Sequence, residues 1–261
     1  MRLVSWNVDS VRARLGLVTS WVDAHQPDVL CLQEIKCSPE RFPAKPFLER
    51  GFEIHVHSEG GQGGVALLSR PPSSDVRLGI PGATAPLNER RSISATVDGV
   101  RIHTVYAPNG RKVGTSHHAL KLAWFQLLTA WIQMDDFDDQ PVILIGDLNI
   151  APLDIDIWDV TRYRKRNLTS PPERQAFQNL EHLGLTDIVR ASLGDRRAYS
   201  WWNRREGFFS TDRGWRLDHA LANTEAQRRV KSVSIDRSAR ERATPEDPTP
   251  SDHAPLVVDL S

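Results

Sequence analysis

Asp147 and Asn149 flank Leu148 directly after a short apolar run, Val142 to Ile145, bounded by Pro141 and Gly146. That run predicts a strand buried on both faces. Alternate residues of an extended chain share a face, so a carboxylate and a carboxamide project together from the rim of a hydrophobic sheet. Gly, Asp and Asn also build turns, and the trio alone reads equally well as one. Other strand-like segments end in similar residues: Asn7 after Leu3-Val-Ser-Trp6, Glu34 after Leu32-Gln33, Tyr106 after Ile102-His-Thr-Val105, Asp218 after Trp215-Arg-Leu217. Asp252 and His253 precede the last strand. The oxygen donors of Asn7, Glu34, Asp147, Asn149 and Asp252 suit a hard divalent cation, Mg²⁺ or Mn²⁺, and no Cys/His set accompanies them for zinc. Asp218 is suited to orient His253, as a carboxylate fixes a histidine in a catalytic triad. There is no serine in a nucleophile elbow and no glycine-rich triphosphate loop. Direct attack of water on a phosphoryl centre is the chemistry left.

Strands and helices must deliver these groups. Leu3 to Asn7 reads as a strand, followed by a helix with Leu15, Val18 and Val22 on one face, stopped by Pro27. Asp28 to Gln33 is a second buried strand and carries Cys31. Phe52 to Val56 alternates, and a glycine-rich turn leads into Val65 to Leu68. Ser92 to Val97 and Val100 to Tyr106 form a hairpin across Asp98-Gly99. A helix capped by Ser116 carries Leu120, Trp124, Leu127, Leu128 and Trp131, and the acidic Asp135 to Asp139 is a solvated loop. Another helix begins at Pro172, with Phe177, Leu180 and Leu183 on one face. Strands follow at Tyr199 to Trp202, Trp215 to Leu221, Val230 to Ile235 and His253 to Leu260, with Arg237 to Pro250 a mobile loop. Many short strands, hairpin turns and covering helices predict an α/β sandwich rather than a doubly wound sheet. No linker divides the 261 residues, so a single domain, 1–261, is expected.

Charged residues make up 25% of the chain and the formal net charge is zero. The distribution is uneven: from Arg162 to Arg242 there are 18 Lys and Arg against 10 Asp and Glu. A basic C-terminal part beside an acidic remainder suits a protein that grips a polyanion with one and holds cations with the other. Solvated surfaces of opposite sign would give the same count. Two cysteines, no membrane-length apolar run and no signal-like start point to a reducing cytoplasm.

In their order along the chain, Trp6-Asn7, Leu32-Gln-Glu34, Tyr106-Ala-Pro-Asn109, Gly146-Asp-Leu-Asn149, Gly214-Trp-Arg-Leu-Asp218 and Ser251-Asp-His-Ala-Pro255 span nearly all of it. This set resembles the exonuclease III class of apurinic/apyrimidinic (AP) endonucleases, within the endonuclease/exonuclease/phosphatase superfamily. Gly-Asp-x-Asn with Ser-Asp-His is shared across the superfamily, whereas Gly-Trp-Arg-Leu-Asp with Ser200-Trp-Trp202 is diagnostic of the DNA-repair branch. The resemblance implies a four-layered α/β sandwich of two packed mixed sheets flanked by helices, with the site at one end. It implies Glu34 as the main metal carboxylate, helped by Asn7 and Asp252, with Asp147, Asn149 and His253 alongside to complete a Mg²⁺ (or Mn²⁺) site. It also implies that Asp147 positions or deprotonates the attacking water, that Asn149 and Tyr106 bond the phosphate, and that His253, paired with Asp218, stabilises charge. Either Asp147 or His253 serves as the base.

By the same resemblance Trp201 and Trp215 line a pocket for an extrahelical abasic sugar, with Trp202 beside them, and Arg90, Arg91 and Lys121 lie near the DNA backbone. The expected partner is double-stranded DNA with an abasic site or a blocked 3′ end, bound by a monomer in the cytoplasm of a bacterial-type cell. Trp215 and Asp9 resemble the AP-endonuclease branch more than the strongly processive exonucleases. Two other readings stand beside this one: a superfamily cousin hydrolysing inositol phosphates, a lipid head group or a tyrosyl-DNA adduct, and a DNA-binding relative without activity.

Overall fold

The computed structural model describes residues 1–87, 89–134, 140–205, 207–241 and 248–261. Its strands in chain order are β1 (Arg2–Asn7), β2 (Val29–Gln33), β3 (Glu53–His57), β4 (Val65–Ser69), β5 (Ser73–Leu78), β6 (Ser92–Val97), β7 (Val100–Tyr106) and β8 (Val142–Asp147). After these come β9 (Thr186–Asp187), β10 (Trp201–Trp202), β11 (Gly214–Trp215), β12 (Asp218–Ala222), β13 (Val230–Ile235) and β14 (Leu256–Leu260). The helices are α1 (Leu15–His25), α2 (Ala44–Leu48), α3 (Ser116–Ile132), α4 (Val160–Tyr163), α5 (Pro171–Glu181), α6 (Ile188–Leu193) and α7 (Thr224–Arg229). Among the described residues none is long and apolar enough to cross a membrane.

The strands make two six-stranded sheets, ordered β13-β14-β1-β2-β4-β3 and β5-β6-β7-β8-β12-β9, plus the two-stranded ribbon β10-β11. The central pairs β1-β2 and β7-β8 are parallel and the rest antiparallel. The two-residue alternation of a strand sorts the side chains into layers. Leu3, Val29, Cys31 and Leu67 of one sheet meet Ile93, Ile102, Ile143, Ile145 and Ala220 of the other. Val4, Trp6, Leu30 and Leu32 turn outward onto Val18, Val22 and Phe47. On the far side Val105 and Leu144 pack on Trp124, Leu128, Phe177 and Leu180. Helix, sheet, sheet and helix are thus the four expected layers, and every strand that ends in a site residue is covered on both faces.

Asp98 and Gly99 both have positive φ, +50° and +72°, as the tight hairpin between β6 and β7 requires. Helix α3 begins at Ser116 with Thr115 as its N-cap and no side-chain cap bond, one residue before the cap expected at Ser116. The polar strand β5 was not expected; it is an exposed, irregular edge, where alternation carries little signal. The long strand expected from Trp215 to Leu221 is broken at Arg216-Leu217, so that Trp215 joins the ribbon and Asp218 the second sheet. His253 precedes β14 as an isolated bridge to Trp201. Asp135 to Asp139 and positions 242–247 of the expected loop from Arg237 lie outside the described residues, while Arg237–Arg240 is a 3-10 turn.

Candidate active site

Strand register assembles the site. Tyr106 and Asp218 are the partners of Asp147 on either side, at the ends of β7, β8 and β12. Asn7 and Gln33 pair at the ends of β1 and β2 in the facing sheet. Packing one sheet on the other then brings Asn7 Nδ2 to 3.0 Å from both Asp147 Oδ2 and Glu34 Oε1. Close approach also explains Gly146: a Cβ there would lie 2.0 Å from the Val105 carbonyl oxygen. Ser251 Oγ donates to the Asn7 carbonyl and accepts the His253 N–H, while Ser200 Oγ accepts from the amides of Leu217 and Asp218. These two serines hold the C-terminal half of the site. Their only sequence signal was their place inside the Ser-Trp-Trp and Ser-Asp-His motifs.

At the centre, His253 Nδ1 is 2.8 Å from Asp218 Oδ2, and its Nε2 is 3.7 Å from Asp147 Oδ2. Burial by itself would lower the histidine's pKa, but the Asp218 and Asp147 carboxylates outweigh it and raise the pKa well above the usual histidine range. The two carboxylates thus favour the imidazolium form of the ring. Asp147 is raised as well, first by burial and then by Asp218 and Glu34, with His253 and Asn7 opposing. Tyr106 donates to Glu34 Oε1 at 2.8 Å, and burial beside Glu34 and Asp147 raises its pKa, so the hydroxyl stays a donor. The Arg91 guanidinium sits 4.8 Å from the centre of the Tyr106 ring.

The two amides, expected as oxygen donors, each accept one hydrogen bond on Oδ1. Asn7 Oδ1 accepts the Asp9 N–H, which fixes the amide with its NH₂ toward the carboxylates. Asn149 Oδ1 accepts from Asn109, while its NH₂ donates to the Ala107 carbonyl and Asp147. Asp252 is committed to Trp201 Nε1 and Arg204. Glu34 stands at the cleft mouth with Lys36. Among the described residues no three His, Cys, Asp or Glu side chains converge closely enough to cage an ion. The surplus of buried carboxylate oxygen nonetheless fits a hard cation of the Mg²⁺ kind, which uses one or two carboxylates and takes its other ligands from water and phosphate.

Beside this centre opens a cavity of about 720 Å³. Trp201, Trp215, Tyr163 and Phe208 supply its aromatic surface, with the Tyr163 and Trp201 rings 4.9 and 5.0 Å from that of Trp215. Arg111, Lys112, Arg162, Lys165, Arg166 and Arg205 line it, with no acidic residue among those described. Tyr163, Phe208 and the Arg162–Arg166 cations were not singled out in the sequence, because α4 is too short to show a period. Gly214 lets β10 and β11 close, since a Cβ there would lie 2.6 Å from Trp202 Nε1.

Two of the side chains expected beside DNA are buried, and so is one arginine of the basic region. Lys121 is wholly buried against Glu173. Trp202 is buried as well, with its indole N–H on Asp212 and its ring beside Phe209. Arg216, counted within the basic region, is buried in a cage of Asp156 and Asp187. Arg90 stays on the surface, paired with Glu59.

The comparisons with known proteins agree with this architecture. The model of the endonuclease/exonuclease/phosphatase family matches residues 4–253. Exodeoxyribonuclease III of Haemophilus influenzae is 30% identical over the whole of both chains. The chain belongs to the exonuclease III/AP endonuclease family. An AP endonuclease from Archaeoglobus fulgidus has the same fold, with a TM-score of 0.93, 30% identity and coverage of 100% of this chain and 99% of the other. The 3′-phosphatase NExo from Neisseria, solved with a product DNA hairpin, is 35% identical with a TM-score of 0.92 and the same coverage. The protein is therefore a phosphodiesterase nuclease of the DNA-repair type.

Proposed function

We propose that this nuclease hydrolyses the phosphodiester 5′ to an abasic site in double-stranded DNA, and that the same centre trims blocked 3′ ends as a phosphodiesterase, phosphatase or weak 3′-5′ exonuclease. The observation that carries this reading is the basic, aromatic-walled cavity beside the Asp147–His253 centre. The Trp201 ring belongs to both, its centre 6.5 Å from that of His253. A flipped deoxyribose is the substrate part that wants an apolar wall, and unstacking costs least where the base is already missing. Six surrounding cations suit the phosphates on either side. We assign the activity to a single domain, 1–261, acting as a cytoplasmic monomer.

In this reading Asp147 is the base. His253 is held protonated and has no free site for a further proton, whereas burial lifts Asp147 toward the range in which a carboxylate can take one from water. His253, oriented by Asp218, then stabilises charge on the phosphate oxygens, and the Tyr106 hydroxyl, which rests on Glu34, and the Asn149 amide, which rests on Asp147 and Ala107, would turn to the phosphate when substrate binds. Glu34, at the mouth, would hold Mg²⁺ or Mn²⁺ with water and substrate phosphate. When bound, the metal neutralises the phosphate and favours departure of the 3′-oxygen. Arg91 and Arg90 would meet the backbone outside the centre.

A duplex with one tetrahydrofuran abasic analogue, incubated with Mg²⁺ and then with EDTA, tests the assignment. The expected result is a single metal-dependent nick 5′ to the analogue. No metal-dependent incision would sink it. Duplexes with a 3′-phosphate or a recessed 3′-OH, run alongside, rank the 3′ activities.

A further inference from the structure

Lys121 lies within α3 without any solvent exposure. Its ammonium is 2.6 Å from the Asn149 carbonyl oxygen, 3.4 Å from that of Asn109 and 2.5 Å from Glu173 Oε1. Both carbonyls belong to residues that build the reaction centre. Asn149 has φ of +51°, a left-handed conformation that costs a non-glycine residue energy and must be held by its surroundings. Asn109 Nδ2 donates to Asn149 Oδ1, so the two loops are also joined through their side chains. Between them the lysine stem is packed tightly: a Cβ on Gly110 would lie 2.9 Å from Lys121 Cδ.

Glu173, also wholly buried, is fixed in its turn. It accepts from Ser170 N and Oγ at the start of α5 and from Leu168 N. Leu168 lines the basic cavity, and its carbonyl takes the Ala151 N–H at 2.7 Å. One buried ion pair therefore touches the strand end that carries Asp147 and Asn149 on one side and the cavity wall on the other. Such pairs add little stability over an apolar pair of the same volume, so stability is a poor reason for this one.

We propose that Lys121, held by Glu173, is a positioning residue that fixes the Asn109 and Asn149 main chains, so that their amides and Asp147 stay aligned with the reacting phosphate and with the cavity wall. The catalytic consequence rests on the nuclease reading above; the positional one does not. The double variant Lys121→Met with Glu173→Gln removes both charges at nearly constant volume and so avoids stranding one of them. Two backbone amides report the geometry directly, because the Asn149 N–H bonds Asp147 Oδ1 and the Arg111 N–H bonds Asn109 Oδ1. In the double variant hydrogen exchange at these two amides is expected to speed up roughly tenfold or more while Val142 to Ile145 in β8 keep their protection. With abasic duplex and Mg²⁺, kcat should fall by roughly 10–100-fold while the Kd for an uncleavable phosphorothioate abasic duplex stays within about threefold of wild type. Glu173→Asp alone, which keeps both charges but draws the carboxylate back from the ammonium, should move the same readings less and serves if the double variant does not fold. Unchanged exchange at Asn149 and Arg111, or an unchanged kcat in a folded variant, would overturn the proposal. Wild-type protein without DNA incision would count against the nuclease reading, and the exchange measurement would still decide the role of Lys121.

Discussion

A buried carboxylate is stable when it is paired or hydrogen-bonded, and the three acids at the centre are held in these ways. Asp218 is paired with His253, Glu34 accepts from Asn7 and Tyr106, and Asp147 faces the imidazolium at 3.7 Å while burial lifts its pKa. Asp147→Asn keeps the shape and removes the proton acceptor, so kcat for incision is expected to fall by roughly 10³-fold or more with DNA binding retained. His253→Asn should cost a similar factor, and the double variant little more, because groups that act as a unit are not additive. Single-turnover rates on the abasic duplex check both statements, and additive losses would show that the two residues act independently. The identities of these residues were legible from their places after apolar runs. The direction of an amide was not, because a sequence does not record that the Asp9 N–H and the Asn109 side chain donate to Asn7 and Asn149 Oδ1 and so turn both NH₂ groups inward. Lys121 was expected near the DNA backbone, and its burial was not legible because its partner Glu173 lies 52 residues away.

Among the elements, the break between β11 and β12 organises the site as much as any strand does. Arg216 in that break makes a two-pronged bond to Asp156 and a third bond, at 2.7 Å, to Asp187, all buried. It thereby fixes the point at which Trp215 leaves for the cavity and Asp218 turns to His253. Arg216→Met would leave Asp156 with Arg190 as its one remaining cation and Asp187 with two backbone N–H bonds and His219, and is expected to destabilise the fold by about 3 kcal/mol or more. That should appear as a fall in Tm of roughly 10 °C for a chain of this size. The same cluster predicts acid sensitivity. Burial would raise Asp156 and Asp187, but Arg216 outweighs it and lowers both below the usual carboxylate range. A lowered folded-state pKa adds stability that is present above the unfolded value, about 3.9, and is lost as pH falls through the folded one. Melting should therefore respond to this cluster only below about pH 4, and the Arg216→Met protein should lack that acid step. The sequence marked this segment by its motif but read it as one strand, because Trp, Arg and Leu in alternation fit a strand until the buried bonds of Arg216 are seen. Apolar strands such as β8 were legible because burial on both faces leaves only one kind of residue. The edge β5 and the ribbon depend on partners distant in sequence.

For the molecule as a whole, the basic count between Arg162 and Arg242 mixes two uses of cations. Arg216 is spent inside on fixed carboxylates, whereas Arg162, Lys165, Arg166 and Arg205, with Arg111 and Lys112 from the loop before α3, converge on the cavity. Zero net charge therefore hides one strongly positive wall set against an acidic centre. The convergent set offers the most charge to exchange counterions for phosphates, so it should dominate the salt dependence of binding, with Arg90 and Arg91 adding less. Changing Lys165 or Arg166 to Gln should weaken binding to an uncleavable abasic duplex and flatten the plot of log K against log salt by about 0.9 for each phosphate contact removed. Loss of Arg90, exposed and paired with Glu59, should change the slope less. Fluorescence anisotropy across a salt series measures these slopes directly. If Lys165→Gln and Arg166→Gln bind with the wild-type slope, the DNA backbone does not run over the cavity wall, and the polyanion must follow the opposite rim, past Arg90 and Arg91.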